Sequence, residues 1–196
     1  MSPSERNETS PWHDLTARLV LRAREAGHQV CYLVTSCGAA EGKSTVCRGV
    51  AGMAAASGTS IGILEINSHA TTAYPSMAGI DAPLAAEPDA ALGYSVWRLP
   101  EDFSSIPTFA DEPRQWATGV DIMLIDAPPI GSFMQQRLSP FSDGVILVAD
   151  TRKRRMAQLV RAARTVTDGG GKLIGTVLNL HESPLPRWLD KWGDRP

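Results

Sequence analysis

Between Thr35 and Thr45 the chain reads TSCGAAEGKST. Gly42, Lys43 and Ser44 fit the end of the phosphate-loop pattern G-x-x-x-x-G-K-[ST], whose first position falls on Cys37, with Gly38 the nearest glycine. A loop that joins a buried strand to a helix N-terminus offers backbone N–H donors and a positive dipole end to a polyphosphate. Gly38, Ala39, Ala40, Glu41 and Gly42 would form that cradle. Lys43 would reach the β- and γ-phosphates of a nucleotide, Ser44 would ligate Mg²⁺, and Thr45 would add a hydroxyl near the α-phosphate. The magnesium shell also needs a carboxylate from the end of another buried strand. VDIMLIDAPP supplies one: Ile122 to Ile125 carry Asp126 to the C-terminal edge of a sheet, where ligands bind in open α/β folds, and Pro128 and Pro129 stiffen the exit. The competing readings are a chance G-K-S in a helix cap and an Asp126 that caps the segment after it.

The elements that must position these residues follow from the apolar pattern. An amphipathic helix opens near Asp14, with Leu15, Leu19, Leu21 and Ala23 as its apolar side and Gly27 as its stop. CYLVT (31–35) reads as a strand, and the small-residue stretch Ser44 to Ser57 as a helix. SIGILEI (60–66), YSVWRLP (94–100), VDIMLID (120–126), DGVILVAD (143–150) and KLIGTVLNL (172–180) read as further strands, with a helix from about Lys153 to Thr167. Continuous apolar strands alternating with helices predict an α/β fold of the P-loop NTPase type, a mostly parallel sheet with helices on both faces. Residues 68–93 and 101–119 read as loops carrying short helices. The division is an N-terminal arm (1–13), a nucleotide-binding domain (14–181) and a C-terminal tail (182–196).

Composition narrows the function classes. A net charge of -2 over 196 residues gives no overall attraction to nucleic acid or anionic lipid. The N-terminus lacks the order of a signal peptide and no apolar run is long enough to span a bilayer, so a cytoplasmic chain is expected. Cys31, Cys37 and Cys47 lack C-x-x-C spacing, so reduced, mostly buried thiols are expected rather than a disulfide framework or a zinc site.

GAAEGKST, ILEINSHA, MLIDAPP and GTVLN, in this order and spacing from about Val30 to Leu180, resemble the bacterial tyrosine kinases of polysaccharide export. MinD/ParA-type ATPases are wider relatives, but they carry an extra loop lysine where this chain has Gly38. The resemblance implies ATP or ADP with Mg²⁺ as cofactors. It also implies the cytoplasmic part of a membrane polysaccharide co-polymerase as partner, a place at the inner face of the bacterial membrane, and self-association. It assigns Glu65 the first position of an acidic D-x-D-x-R motif and the part of catalytic base beside Lys43 and Asp126, and it assigns Asn179 to the adenine. The competing reading of Asn179 is a strand-end turn residue.

Several positions depart from the family pattern. Ala39 and Ala40 replace a proline and a glycine of the loop, Asn67 the second aspartate and His69 the arginine. The ring-forming E-x-x-R-x-x-R frame falls on Leu15, Arg18 and Leu21. The tyrosines are Tyr32, Tyr74 and Tyr94, and the tail has none, so nucleotide binding is expected to outlast phosphoryl transfer. A switching ATPase and a nucleotide-independent interaction module are the alternatives. Two further features stand apart: Arg152 to Arg155, with Arg161 and Arg164, as a basic face, solvated or else meeting an acidic partner or lipid headgroups, of a helix whose apolar stripe is Met156, Leu159, Val160, Ala163 and Val166, and Trp188 with Trp192 packing back on the domain or anchoring a partner.

Overall fold

The computed structural model describes residues 12–66, 87–89, 93–98, 114 and 118–179. Seven strands form one sheet: β1 (Val30–Ser36), β2 (Ile61–Glu65), β3 (Glu87–Asp89), β4 (Tyr94–Arg98), β5 (Ile122–Asp126), β6 (Gly144–Asp150) and β7 (Leu173–Asn179), in the order β3-β4-β2-β5-β1-β6-β7. Six are mutually parallel and β3 runs antiparallel to β4 at one edge. The helices are α1 (His13–Ala26), α2 (Lys43–Ala56), α3 (Phe133–Leu138) and α4 (Met156–Asp168), with a 3-10 turn at Ser139–Phe141.

The pleat sorts the apolar runs into two cores. Val30, Tyr32 and Val34 of β1, Ile61 and Ile63 of β2, and Ile122 and Leu124 of β5 meet α1 and α2 on one face. Cys31, Leu33, Leu64, Met123 and Ile125 meet α3 and α4 on the other. Strands buried on both faces cannot alternate apolar with polar residues, which is why they read as continuous apolar runs. The doubly covered sheet agrees with the fold class expected from sequence.

Three details differ from the sequence reading. Glu87–Asp89 is a strand, although it falls within 68–93, which the sequence reads as a loop carrying short helices. Among the described residues it pairs only with β4 at the sheet edge, where Pro88 needs no partner on its outer side. Leu21 is exposed, and the buried side of α1 is Thr16, Leu19 and Ala23. The helix expected from Lys153 begins at Met156. Asp150 holds the preceding residues in a turn: its carboxylate accepts from the Arg152 N–H at 3.0 Å and its carbonyl from the N–H groups of Lys153 and Arg154. Arg152, Lys153 and Arg154 are therefore loop residues, not a helical face. Met156 and Val160, two members of the expected apolar stripe, are exposed, and α4 buries Ala162 and Val166.

Arg152 also pairs with the Asp150 carboxylate, 3.1 Å away, and holds its pKa at about 2. Cys31 and Cys47 are buried and Cys37 is partly covered, all three as free thiols. Among the described residues no helix is long and apolar enough to cross a membrane. Asn67, His69, Tyr74 and the tail with Trp188 and Trp192 lie outside the described residues, as does most of 68–93 and 101–119.

Candidate functional site

The site forms where β1, β2 and β5 end together. Parallel register sets Glu65 beside Asp126 on adjacent strands. Both belong to the alternation of Ile61, Ile63, Ile122 and Leu124, whose face is covered by α2. The N-terminus of α2 carries Lys43 and Ser44 to the same place. After Asp126 the chain is stitched to the end of β1: Ala127 N–H donates to the Val34 carbonyl at 3.0 Å, Ile130 N–H to the Ser36 carbonyl at 2.9 Å, and Thr35 Oγ1 to the Pro128 carbonyl at 2.8 Å. The outcome is a cavity of about 360 Å³ lined by Ala39, Ala40, Lys43, Ser44, Arg48, Glu65, Ile66, Asp126 and Ala127 to Pro129.

The loop keeps its shape without the glycine at position 37. Gly42 caps α2 at φ 91°, and a Cβ there would lie 2.0 Å from Asn179 Nδ2. Gly38 needs its small size rather than a special φ, since a Cβ would lie 2.0 Å from the Arg154 guanidinium. Ser36 Oγ donates to the Gly38 carbonyl at 2.6 Å. Ala40 takes φ 54°, the left-handed region expected to be costly for alanine. That strain is about 1–2 kcal/mol, and a glycine would give back about 0.5–1 kcal/mol in chain entropy. Ala40→Gly is therefore expected to stabilise the protein by roughly 0.5–1 kcal/mol, a rise in Tm of about 1–4 °C. Thermal unfolding checks it; an unchanged or lowered Tm would show that the loop is shaped by contacts of the Ala40 methyl.

Three residues brace this loop, two from the turn after β6 and one from the end of β7. Arg154 Nε pairs with the fully buried Glu41 carboxylate, Lys153 Nζ donates to the Ala40 carbonyl at 3.2 Å, and Asn179 Nδ2 donates to the Glu41 carbonyl at 3.0 Å. Sequence reading assigned Lys153 and Arg154 to solvent. Asp150 supplied the missed signal, an acidic residue ending a buried strand immediately before a basic run.

Burial pushes the Asp126 carboxyl above the ordinary carboxylate pKa, and a hydrogen bond from Ser44 and the charge of Lys43 pull it part of the way back. Glu65 has both oxygens engaged: Oε1 by Arg48 Nη2 and Oε2 by Arg98 Nε, each at 3.0 Å. Neither arginine was singled out from sequence. The hydroxyl of Ser44 and the carboxylate of Asp126 form a pair of hard oxygen donors suited to Mg²⁺, and the α2 N-terminus with Lys43 suits phosphate. Thr45 is exposed and lies outside the cavity lining.

Neither a family model nor a curated protein sequence matches the chain. Solved structures do match. The kinase domain of the Escherichia coli tyrosine kinase ETK aligns at TM-score 0.63 and 14% identity over 87% of this chain and 76% of that one. The VpsO kinase domain aligns at 0.56 and 17% over 87% and 96%. A nucleotide-binding protein in complex with ADP from Archaeoglobus fulgidus aligns at 0.55 and 20% over 84% and 72%. The chain thus has the α/β fold of P-loop proteins, with bacterial tyrosine kinase domains among its structural neighbours.

Proposed function

We propose that this chain is an ATP-binding P-loop protein of the bacterial tyrosine-kinase type, degenerate as a kinase, that serves exopolysaccharide assembly through a membrane co-polymerase. One observation carries the nucleotide part. Lys43 and Ser44 from one motif and Asp126 from another converge on one cavity at the C-terminal edge of the sheet, with a helix N-terminus pointing into it. Ser44 and Asp126 would hold Mg²⁺, which offsets the charge of the phosphates when bound. Lys43 would bind the terminal phosphates. Asn179 already commits one amide hydrogen to the loop, so adenine recognition falls to its carbonyl oxygen and second hydrogen.

The degenerate reading is supported by the acidic motif, where Glu65 puts its carboxylate one methylene further out than the family aspartate and Asn67 carries no charge. It is also supported by two of the three tyrosines, because Tyr32 and Tyr94 are buried in β1 and β4. The exopolysaccharide role, the co-polymerase partner and the inner face of the membrane rest on the motif resemblance. Calorimetry with ATP and ADP, with and without Mg²⁺, tests the core of the reading. Micromolar to sub-millimolar binding that Lys43→Ala removes is the expected result. No heat in the parent protein, or a Lys43→Ala variant that binds as the parent does, would overturn it.

A further inference from the structure

The rim of the cavity carries charges that the loop and Asp126 leave unused. Glu65 is held by two arginines at once, with Arg48 on one oxygen and Arg98 on the other. Lys43, Arg48 and Arg98 thus stand against the carboxylates of Glu65 and Asp126, three cations to two anions. Arg48 lines the cavity, whereas Arg98, at the end of β4, is not among the lining residues. Arg48 follows Ser44 by four positions on α2, so the two share a helix face, and side chains on a helix lean toward its N-terminus.

We propose that Arg48 recognises the terminal phosphate of a nucleoside triphosphate in this cavity, leaving Glu65 to do so, and makes the chain prefer triphosphate over diphosphate. The proposal rests on the nucleotide reading above. Its physical basis is the double clamp. The side chains of Arg48 and Arg98 are 59% and 50% exposed, so each ion pair with Glu65 is solvent-screened and readily exchanged. When Arg48 leaves, Arg98 still neutralises Glu65, and no part-buried carboxylate is stranded. The guanidinium fork then matches the oxygens of a phosphate in a bidentate contact that a lysine could not reproduce. A diphosphate lacks the group that would draw Arg48 away.

The test measures dissociation constants of a non-hydrolysable ATP analogue and of ADP, both with Mg²⁺, on the full chain. Arg48→Ala is expected to weaken the triphosphate about tenfold and to move ADP by less than about twofold. Arg48→Lys should fall between. Glu65→Gln, which releases Arg48 in advance, should tighten the triphosphate, a direction that loss of structure could not produce. Arg98→Ala should lower the triphosphate preference, because Glu65 then retains Arg48, and adding Glu65→Gln should restore it. Equal weakening of both nucleotides by Arg48→Ala, or no change in either, overturns the proposal while leaving nucleotide binding in place. A parent protein that binds neither nucleotide overturns the nucleotide reading, and this proposal with it. Melting temperatures of each variant accompany the titrations, so that a variant that unfolds is replaced by Arg48→Gln.

Discussion

Arg154→Ala is expected to lower the stability of the protein by about 3 kcal/mol, the low end of what is lost when one partner of a buried ion pair is removed. For a chain of this length that is a fall in Tm of roughly 6–12 °C. Glu41 is fully buried directly before Gly42 and Lys43, and its Oε1 meets Arg154. Its Oε2 has no hydrogen-bond partner among the described residues. Without Arg154 the carboxylate would keep its burial and lose its counter-charge, beneath a loop whose N–H groups are meant for phosphate. The arginine is itself about one-quarter exposed, which keeps the expected cost at the low end. The controls separate charge from packing. Glu41→Leu combined with Arg154→Leu removes both charges and should recover most of the loss. In a double-mutant cycle the two sites should couple by about 1–3 kcal/mol. A melting temperature within about 2 °C of the parent, seen in Arg154→Ala alone, would mean that water reaches Glu41 and that the brace is not structural.

The same pair shows where sequence reading stops. Arg154 and Glu41 are 113 positions apart, and nothing local to TRKRR announces that its third basic residue turns inward. A run of cations next to an apolar stripe has the composition of a solvated helix, and only the turn set by Asp150 decides otherwise. Lys43, Ser44 and Asp126 were legible because each is fixed by its own short stretch: a glycine, a helix start, or an apolar run that ends in an aspartate. Strands buried on both faces were legible for a related reason, since burial is written continuously along them. β3 was not, because three residues with a central proline gain strand geometry only from their neighbour. Arg48 and Arg98 escaped notice because their meeting point, Glu65, is a product of register: β2 pairs with β4 so that Arg98 stands beside Glu65, and the α2 face over it carries Arg48.

Asp126→Asn is expected to act in opposite directions on the fold and on the site. Burial is the largest influence on the Asp126 carboxyl and raises its pKa above the value in an unfolded chain. A raised folded-state pKa favours the native state below the unfolded pKa, and that advantage is lost as pH rises through the folded value. At neutral pH the ionised carboxylate therefore works against folding, in spite of the Ser44 hydrogen bond and Lys43. An amide of nearly the same shape keeps a hydrogen-bond acceptor for Ser44 and carries no charge to desolvate. The nucleotide-free variant should accordingly melt higher than the parent at pH 7, as is common when a site is relieved of its functional strain. The gain should shrink as pH falls toward the unfolded carboxylate range, because the parent's Asp126 then becomes neutral as well. In the same variant the Mg²⁺-dependent part of ATP affinity should fall by about 10–100-fold, the range for disturbing a ligand set. Thermal unfolding between pH 4 and pH 8 reads the first effect without nucleotide, and titration with and without Mg²⁺ reads the second. A variant that melts lower than the parent at pH 7 would show that the ionised carboxylate contributes more through Ser44 and Lys43 than its burial costs. A variant that is more stable yet keeps full Mg²⁺ dependence would remove Asp126 from the metal site, leaving the aspartate without the role its strand delivers it to.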